Sequence, residues 1–134
     1  MRRIWLCADD YGMAPGINDA IRQLIAKKRI NATSVMTAAT HLSRGEAEAL
    51  TDLNAGEQRA AIGLHVTLTA PFKPLSDGFS PTRHGHFLPH KDMMRLGMTR
   101  RLKPELLQTE IAAQVRAFRE IFGRLPFGGV DGDN

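Results

Sequence analysis

Two adjacent carboxylates, Asp9 and Asp10, close an apolar run near the amino end and are followed by Tyr11-Gly12. An imidazole, His65, stands near the end of a later apolar run, and a third acidic group spans Asp131 to Asp133. Carboxylate and imidazole together are suitable ligands for a divalent ion such as zinc, at about 2.0–2.2 Å, with one position left open to water. Such an ion lowers the pKa of that water towards about 7, and a nearby carboxylate that is not a ligand can take its proton. Asp9 and Asp10 could divide these roles, one as base and one as ligand. A bare pair of aspartates serves a turn or a helix cap equally well, so the chemistry depends on what brings these groups to one place.

The elements that must do so alternate. Arg3 to Ala8 is short, apolar and free of turn residues, and reads as a strand buried on both faces, with Trp5 in the core and Cys7 as a small buried residue. Neighbours on a strand point to opposite faces. Asp9 and Asp10 can therefore address one point only if the strand has ended and the backbone is turning, which Gly12 favours. Pro15 can open a helix whose Ile17, Ile21, Leu24 and Ile25 share a face, ending near Lys28. Ala32 to Thr37 is a second strand. Ser43 and Glu46 have capping-box spacing for a helix that stops at Ala55-Gly56.

A third strand runs from Ala60 to Leu68, with His65 towards its carboxyl end. Residues 70–103 are rich in proline and glycine and predict a long loop, of the kind that is usually functional or disordered. From Pro104 the helical period returns in Leu107, Ile111, Val115, Phe118 and Phe122, with Gly123 as its cap. Phe127 to Val130 can begin a fourth strand. The pattern predicts one α/β domain over residues 1–134, a parallel sheet of βα units in which strand carboxyl ends form the functional edge. Asp9, Asp10, His65 and Asp131 to Asp133 all arrive at that edge.

Composition narrows the class. The chain has 134 residues, 43% hydrophobic and 24% charged, which suits one globular domain. The formal charge of +4 comes from scattered basic residues without a recognition motif or interleaved aromatics, so no nucleic-acid partner is expected. One cysteine rules out an intramolecular disulfide, and the apolar start is too short for a leader, which predicts a cytoplasmic setting and no membrane partner. His41, and the loop histidines His84, His86 and His90, read as solvated. The functional alternative for the last three is substrate contact from a lid over the strand ends.

Ala8-Asp9-Asp10-Tyr11-Gly12-Met13, followed by Gly16-Ile17-Asn18 and by Gly63-Leu64-His65-Val66-Thr67-Leu68-Thr69, resembles the YdjC-like carbohydrate deacetylase family. The resemblance implies a (β/α) barrel and a divalent metal, zinc or magnesium, that supports removal of the N-acetyl group from an amino sugar such as chitobiose. It implies that Asp9 is the general base and that Asp10 and His65 are metal ligands. The family pattern continues with a histidine as third ligand where this chain carries Asp133, in a sequence with one extra residue before Asp131. Asp133 is then the substitute ligand. Four strands and three helices amount to half a barrel, open rather than closed, and exposed sheet edges predict a homo-oligomer. The expectation is a truncated and inactive deacetylase. A non-catalytic metal-binding or assembly module stays open beside it. A receiver-like phospho-acceptor domain is a third reading, although His65 stands where its phospho-accepting aspartate belongs.

Overall fold

The computed structural model describes residues 4–55 and 60–123. Its first half is a three-stranded parallel sheet in the order β1 (Cys7–Tyr11), β2 (Ala32–Val35), β3 (Ala61–Leu64). Each crossover carries a helix: α1 (Pro15–Ala26) between β1 and β2, and α2 (Arg44–Asp52) between β2 and β3. Pro15 occupies the first turn of α1, where its missing N–H costs nothing. Ser43 caps α2, its hydroxyl accepting from the Glu46 N–H at 3.2 Å. The parallel α/β class and its open sheet match the sequence reading. The predicted strand at Phe127 to Val130 lies outside the described residues.

Strand β1 begins and ends later than expected, because β2 offers a parallel partner only from Ala32, opposite Cys7. Upstream of that point the Asn31 side chain accepts from the Leu6 N–H and donates to the Ile4 carbonyl, so the backbone is satisfied while the side chains are left uncovered. Ile4, Trp5 and Leu6 are 78%, 66% and 57% exposed, and Cys7 is also exposed. The core placement of Trp5 and the burial of Cys7 are therefore corrected.

The core lies between the sheet and its helices. Tyr11, Val35, Ile21, Ile25 and Leu50 are its centre, with Phe122 reaching it from α4 (Pro104–Phe122). Leu24, expected on the buried face of α1, is exposed, and Asn18 takes a place inside.

The stretch predicted as a long loop is folded. It contains an antiparallel hairpin of β4 (Thr82–Arg83) and β5 (His86–Phe87), followed by α3 (His90–Met98). His84 and Gly85 form the two-residue turn, both at positive φ (52° and 76°), the pairing that matches strand twist in tight hairpins. Phe79, Phe87 and Met93 make a separate small core, with the two rings edge to face at 5.2 Å. Three apolar side chains at irregular spacing carry no periodicity, so the sequence pattern does not register them.

Helix α4 has the expected bounds, and Phe122, Phe118 and Leu107 pack inward as expected, but the buried face is wider and more polar than the apolar period shows. Ile111 is exposed, whereas Glu110, Ala113, Gln114 and Phe122 are buried. Gln114 accepts from the Thr67 N–H at 2.9 Å and donates to the Thr67 carbonyl at 2.7 Å. Glu110 accepts from the Leu75 N–H, the Ser76 N–H, the Ser76 hydroxyl and the Gln114 amide, at 2.6–3.0 Å. Two polar side chains thus bind the chain that leaves β3 to α4. Burial alone would raise the Glu110 pKa, but the Gln114 amide and the Leu75 and Ser76 donors outweigh it and hold the carboxyl below the ordinary glutamate range.

Candidate active site at the strand carboxyl ends

A bulge in β1 resolves the problem of the adjacent aspartates. Ala8 pairs with Thr33 and Tyr11 with Val35, so Asp9 and Asp10 together oppose the single residue Ser34. Asp10 takes φ 71°, a left-handed conformation that aspartate tolerates better than most residues. Regular alternation would have sent Asp10 to the same face as Ala8, into the helix layer. The extra residue sends Tyr11 there instead, fully buried, and leaves Asp10 part-exposed beside the exposed Asp9. The doublet is therefore joined by a bulge inside the strand, not by a turn after it.

Gly12 ends the strand at φ 100°, with its N–H donating to the Asn18 side-chain oxygen at 2.6 Å. A Cβ there would meet Leu42 Cβ at 3.1 Å and the Met36 carbonyl at 3.2 Å, so both conformation and space require glycine. Asn18 also donates to the His41 carbonyl and to Glu46, which in turn pairs with Arg22. Arg22 donates to the Tyr11 hydroxyl at 2.7 Å, and that hydroxyl donates to the Glu46 carbonyl at 2.8 Å. Burial pushes the Tyr11 phenol up to about 12, so it stays neutral. This network fixes the turn after the doublet to α1 and α2.

Four side chains meet on the open face of the sheet. Ser34, on the central strand, donates to Asp9 Oδ1 at 2.6 Å, and its Oγ lies 3.1 Å from His65 Nδ1. His65 Nδ1 is 3.4 Å from Asp10 Oδ1, an ion-pair distance beyond the range of a good N–H···O bond. The His65 N–H donates to the Val35 carbonyl at 2.8 Å, which extends the β2–β3 ladder by one residue and places the imidazole. The Ser34 hydroxyl, with help from the Cys7 thiol and His65, holds the Asp9 carboxyl below the usual carboxylate range against a weaker desolvation effect, so Asp9 is ionised at neutral pH. Desolvation and the Asp9 carboxylate push the Cys7 thiol up, so it remains a thiol.

Of the residues singled out in the sequence, the structure brings Asp9, Asp10 and His65 together. Asp133 lies outside the described residues. His84 is in the hairpin turn, with its carbonyl 3.0 Å from His86 Nδ1, and His90 opens α3. Ser34, Asn18, Glu110 and Gln114 have roles that hydrophobic periodicity does not reveal. A carboxylate oxygen and an imidazole nitrogen side by side are the right donor types for a divalent ion. Among the described residues no three His, Cys, Asp or Glu side chains are placed to hold one. The pair fits part of a metal site, and a further donor would have to complete it. No helix among the described residues is long and apolar enough to cross a membrane.

Parallel βα units with an acid–imidazole cluster at the strand carboxyl ends define an α/β class whose ligand sites lie along that edge. The profile of the YdjC-like proteins matches residues 3–127, and the chain belongs to that family. It is 32% identical over 120 residues to the chitooligosaccharide deacetylase of Escherichia fergusonii, an alignment covering 89% of this chain and 44% of that protein. Its fold is similar to that of an Enterococcus faecalis V583 protein named for cellobiose-phosphate cleavage, with a TM-score of 0.72 and 23% identity over 90% of this chain and 44% of the other. The chain spans less than half the length of these relatives.

Proposed function

We propose that this chain carries the base and two of the ligands of a metal-dependent carbohydrate N-deacetylase site. The observation that supports it is the convergence of Asp9, Asp10 and His65 on the open face, held there by a bulge and by Ser34. The deacetylase relative supports an N-acetylated chito-oligosaccharide or a related glycoconjugate as substrate. Asp10 and His65 would hold the divalent ion, zinc or magnesium, with Asp133 as a candidate further ligand. A cation bound there supplies polarisation of the acetamide carbonyl and a more acidic water. Asp9, ionised and exposed, takes the proton of the attacking water as the oxygen adds to the acetamide carbon. Returning that proton to the departing nitrogen breaks the C–N bond and leaves acetic acid and an amine, which at neutral pH are acetate and an ammonium.

A second reading, cation binding without hydrolysis, is favoured by the presence of only two converging donors among the described residues. Acetate release from N-acetylated chito-oligosaccharides by the purified chain separates the two. Against the expectation of an inactive chain, the deacetylase reading predicts release that stops on chelation and resumes on adding zinc or magnesium. Bound cation with no acetate would give the second reading, and neither would overturn both.

A further inference from the structure

We infer that α3 and the turn after it form a docking surface for an anionic lipid bilayer. The surface is independent of the proposed deacetylase site. Lys91, Arg95, Arg100, Arg101 and Lys103 are accompanied by a single acid, Asp92, so residues 91–103 carry a formal +4, the charge of the whole chain. Taken together, the acidic and basic residues elsewhere are equal in number. All five cations are exposed, and none has a carboxylate partner among the described residues. Asp92 is taken by Arg83, at 3.6 Å. Arg100 stands at φ 55° in the turn that ends α3, where the Arg101 N–H donates to the Leu96 carbonyl at 2.9 Å and glycine would sit at less cost.

Met93 anchors α3 in the small core with Phe79 and Phe87, which leaves another face of the helix uncovered. Lys91, Met94, Arg95 and Met98 share that face at i, i+3, i+4 and i+7, and with His90 and Thr99 they line a surface hollow of about 400 Å³. Met94 and Met98 are 52% and 79% exposed. Apolar side chains bordered by long basic ones suit a helix lying at the headgroup boundary, with the methionines at the acyl edge and the cations reaching phosphates. The helix dipole accounts for cations in a last turn but not for the methionines beside them. A second copy of this chain would present the same positive charge and be repelled. A stable protein partner needs about 800 Å² on each side, whereas a nine-residue helix is about 14 Å long and about 10 Å across. A bilayer has no such requirement, because each cation near it is drawn in by the surface potential. Contact at the headgroups needs no membrane-crossing helix, so it does not depend on the short apolar start that argued against a membrane partner.

The test is co-sedimentation of the purified chain with vesicles of phosphatidylcholine alone and of phosphatidylcholine with about one-third phosphatidylglycerol. Wild type is expected to bind the anionic vesicles only, and more weakly as salt rises. Arg100→Gly, which suits the left-handed backbone and so keeps the fold, should bind about fivefold more weakly. Lys91→Gln combined with Arg95→Gln should lose about 25-fold, and Met94→Ser combined with Met98→Ser about tenfold. Thermal unfolding of each variant checks that the surface alone has changed. No binding to anionic vesicles, or equal binding to both kinds, overturns the inference. Full binding by the methionine variant also overturns it, because the surface would then attract any polyanion, an acidic protein or a nucleic acid included. Acetate release plays no part in the readout, so the deacetylase reading and this one can fail separately.

Discussion

Glu110→Ala is expected to lose on the order of 3–5 kcal/mol of folding stability, read as a fall in the urea midpoint with an unchanged slope. Glu110 is fully buried and accepts from two backbone N–H groups, one hydroxyl and one amide. Alanine would leave the Leu75 and Ser76 N–H groups and the Gln114 amide without that acceptor, at about 1–3 kcal/mol for each group left unsatisfied in the interior. A total near the upper end of single-mutant effects would consume much of a stability of about 5–15 kcal/mol. The same carboxyl makes stability depend on acid. Its folded-state pKa is depressed, so its contribution is complete above the unfolded glutamate value, about 4.3, and disappears as pH falls through the lower folded value. Glu110→Ala should therefore flatten the loss of stability of wild type below that pH. A wild-type midpoint for Glu110→Ala would show that Glu110 does not hold the Leu75–Ser76 segment to α4.

Asp9→Asn is expected to lower the rate of acetate release about 10²–10⁴-fold, the usual worth of a positioned general base. Asparagine keeps an oxygen that can accept from Ser34, so the hydroxyl and the strand keep their places while the proton acceptor is lost. Asp9 is exposed and outside the core, so the melt should not move. Rate and stability are thus separated in this variant, in contrast to Glu110→Ala. A rate within twofold of wild type would remove Asp9 from the chemistry.

The sequence carried the order of β1 to β3, the bounds of α4 and the cap of α2, because each has a local signature: an apolar run, a helical period, or a Ser-x-x-Glu spacing. It also carried the meeting of Asp9, Asp10 and His65, since strand carboxyl ends in a parallel sheet share one rim. How the doublet meets was not legible. The bulge depends on Tyr11 finding Arg22 and Glu46 behind the sheet, contacts made across eleven and thirty-five positions. Trp5 looked like core because its sequence is apolar, yet no described layer covers that end of β1. On α4 the sequence placed Phe118 and Phe122 correctly but Ile111 wrongly, because backbone donors of residues 67–76 lie against the helix and select Glu110 and Gln114 there. Ser34 looked like an ordinary polar residue in a strand until the register placed it between an acid and an imidazole.

Calorimetric titration of zinc and of magnesium into the purified chain, beside Asp10→Asn, which tolerates the left-handed backbone at that position, and His65→Ala, tests the site itself. One of the cations should bind stoichiometrically to wild type and be lost, by at least about a hundredfold in affinity, from both variants while their thermal unfolding stays as in wild type. Equal binding by wild type and variants, or none by wild type, would contradict a cation site built from these two side chains.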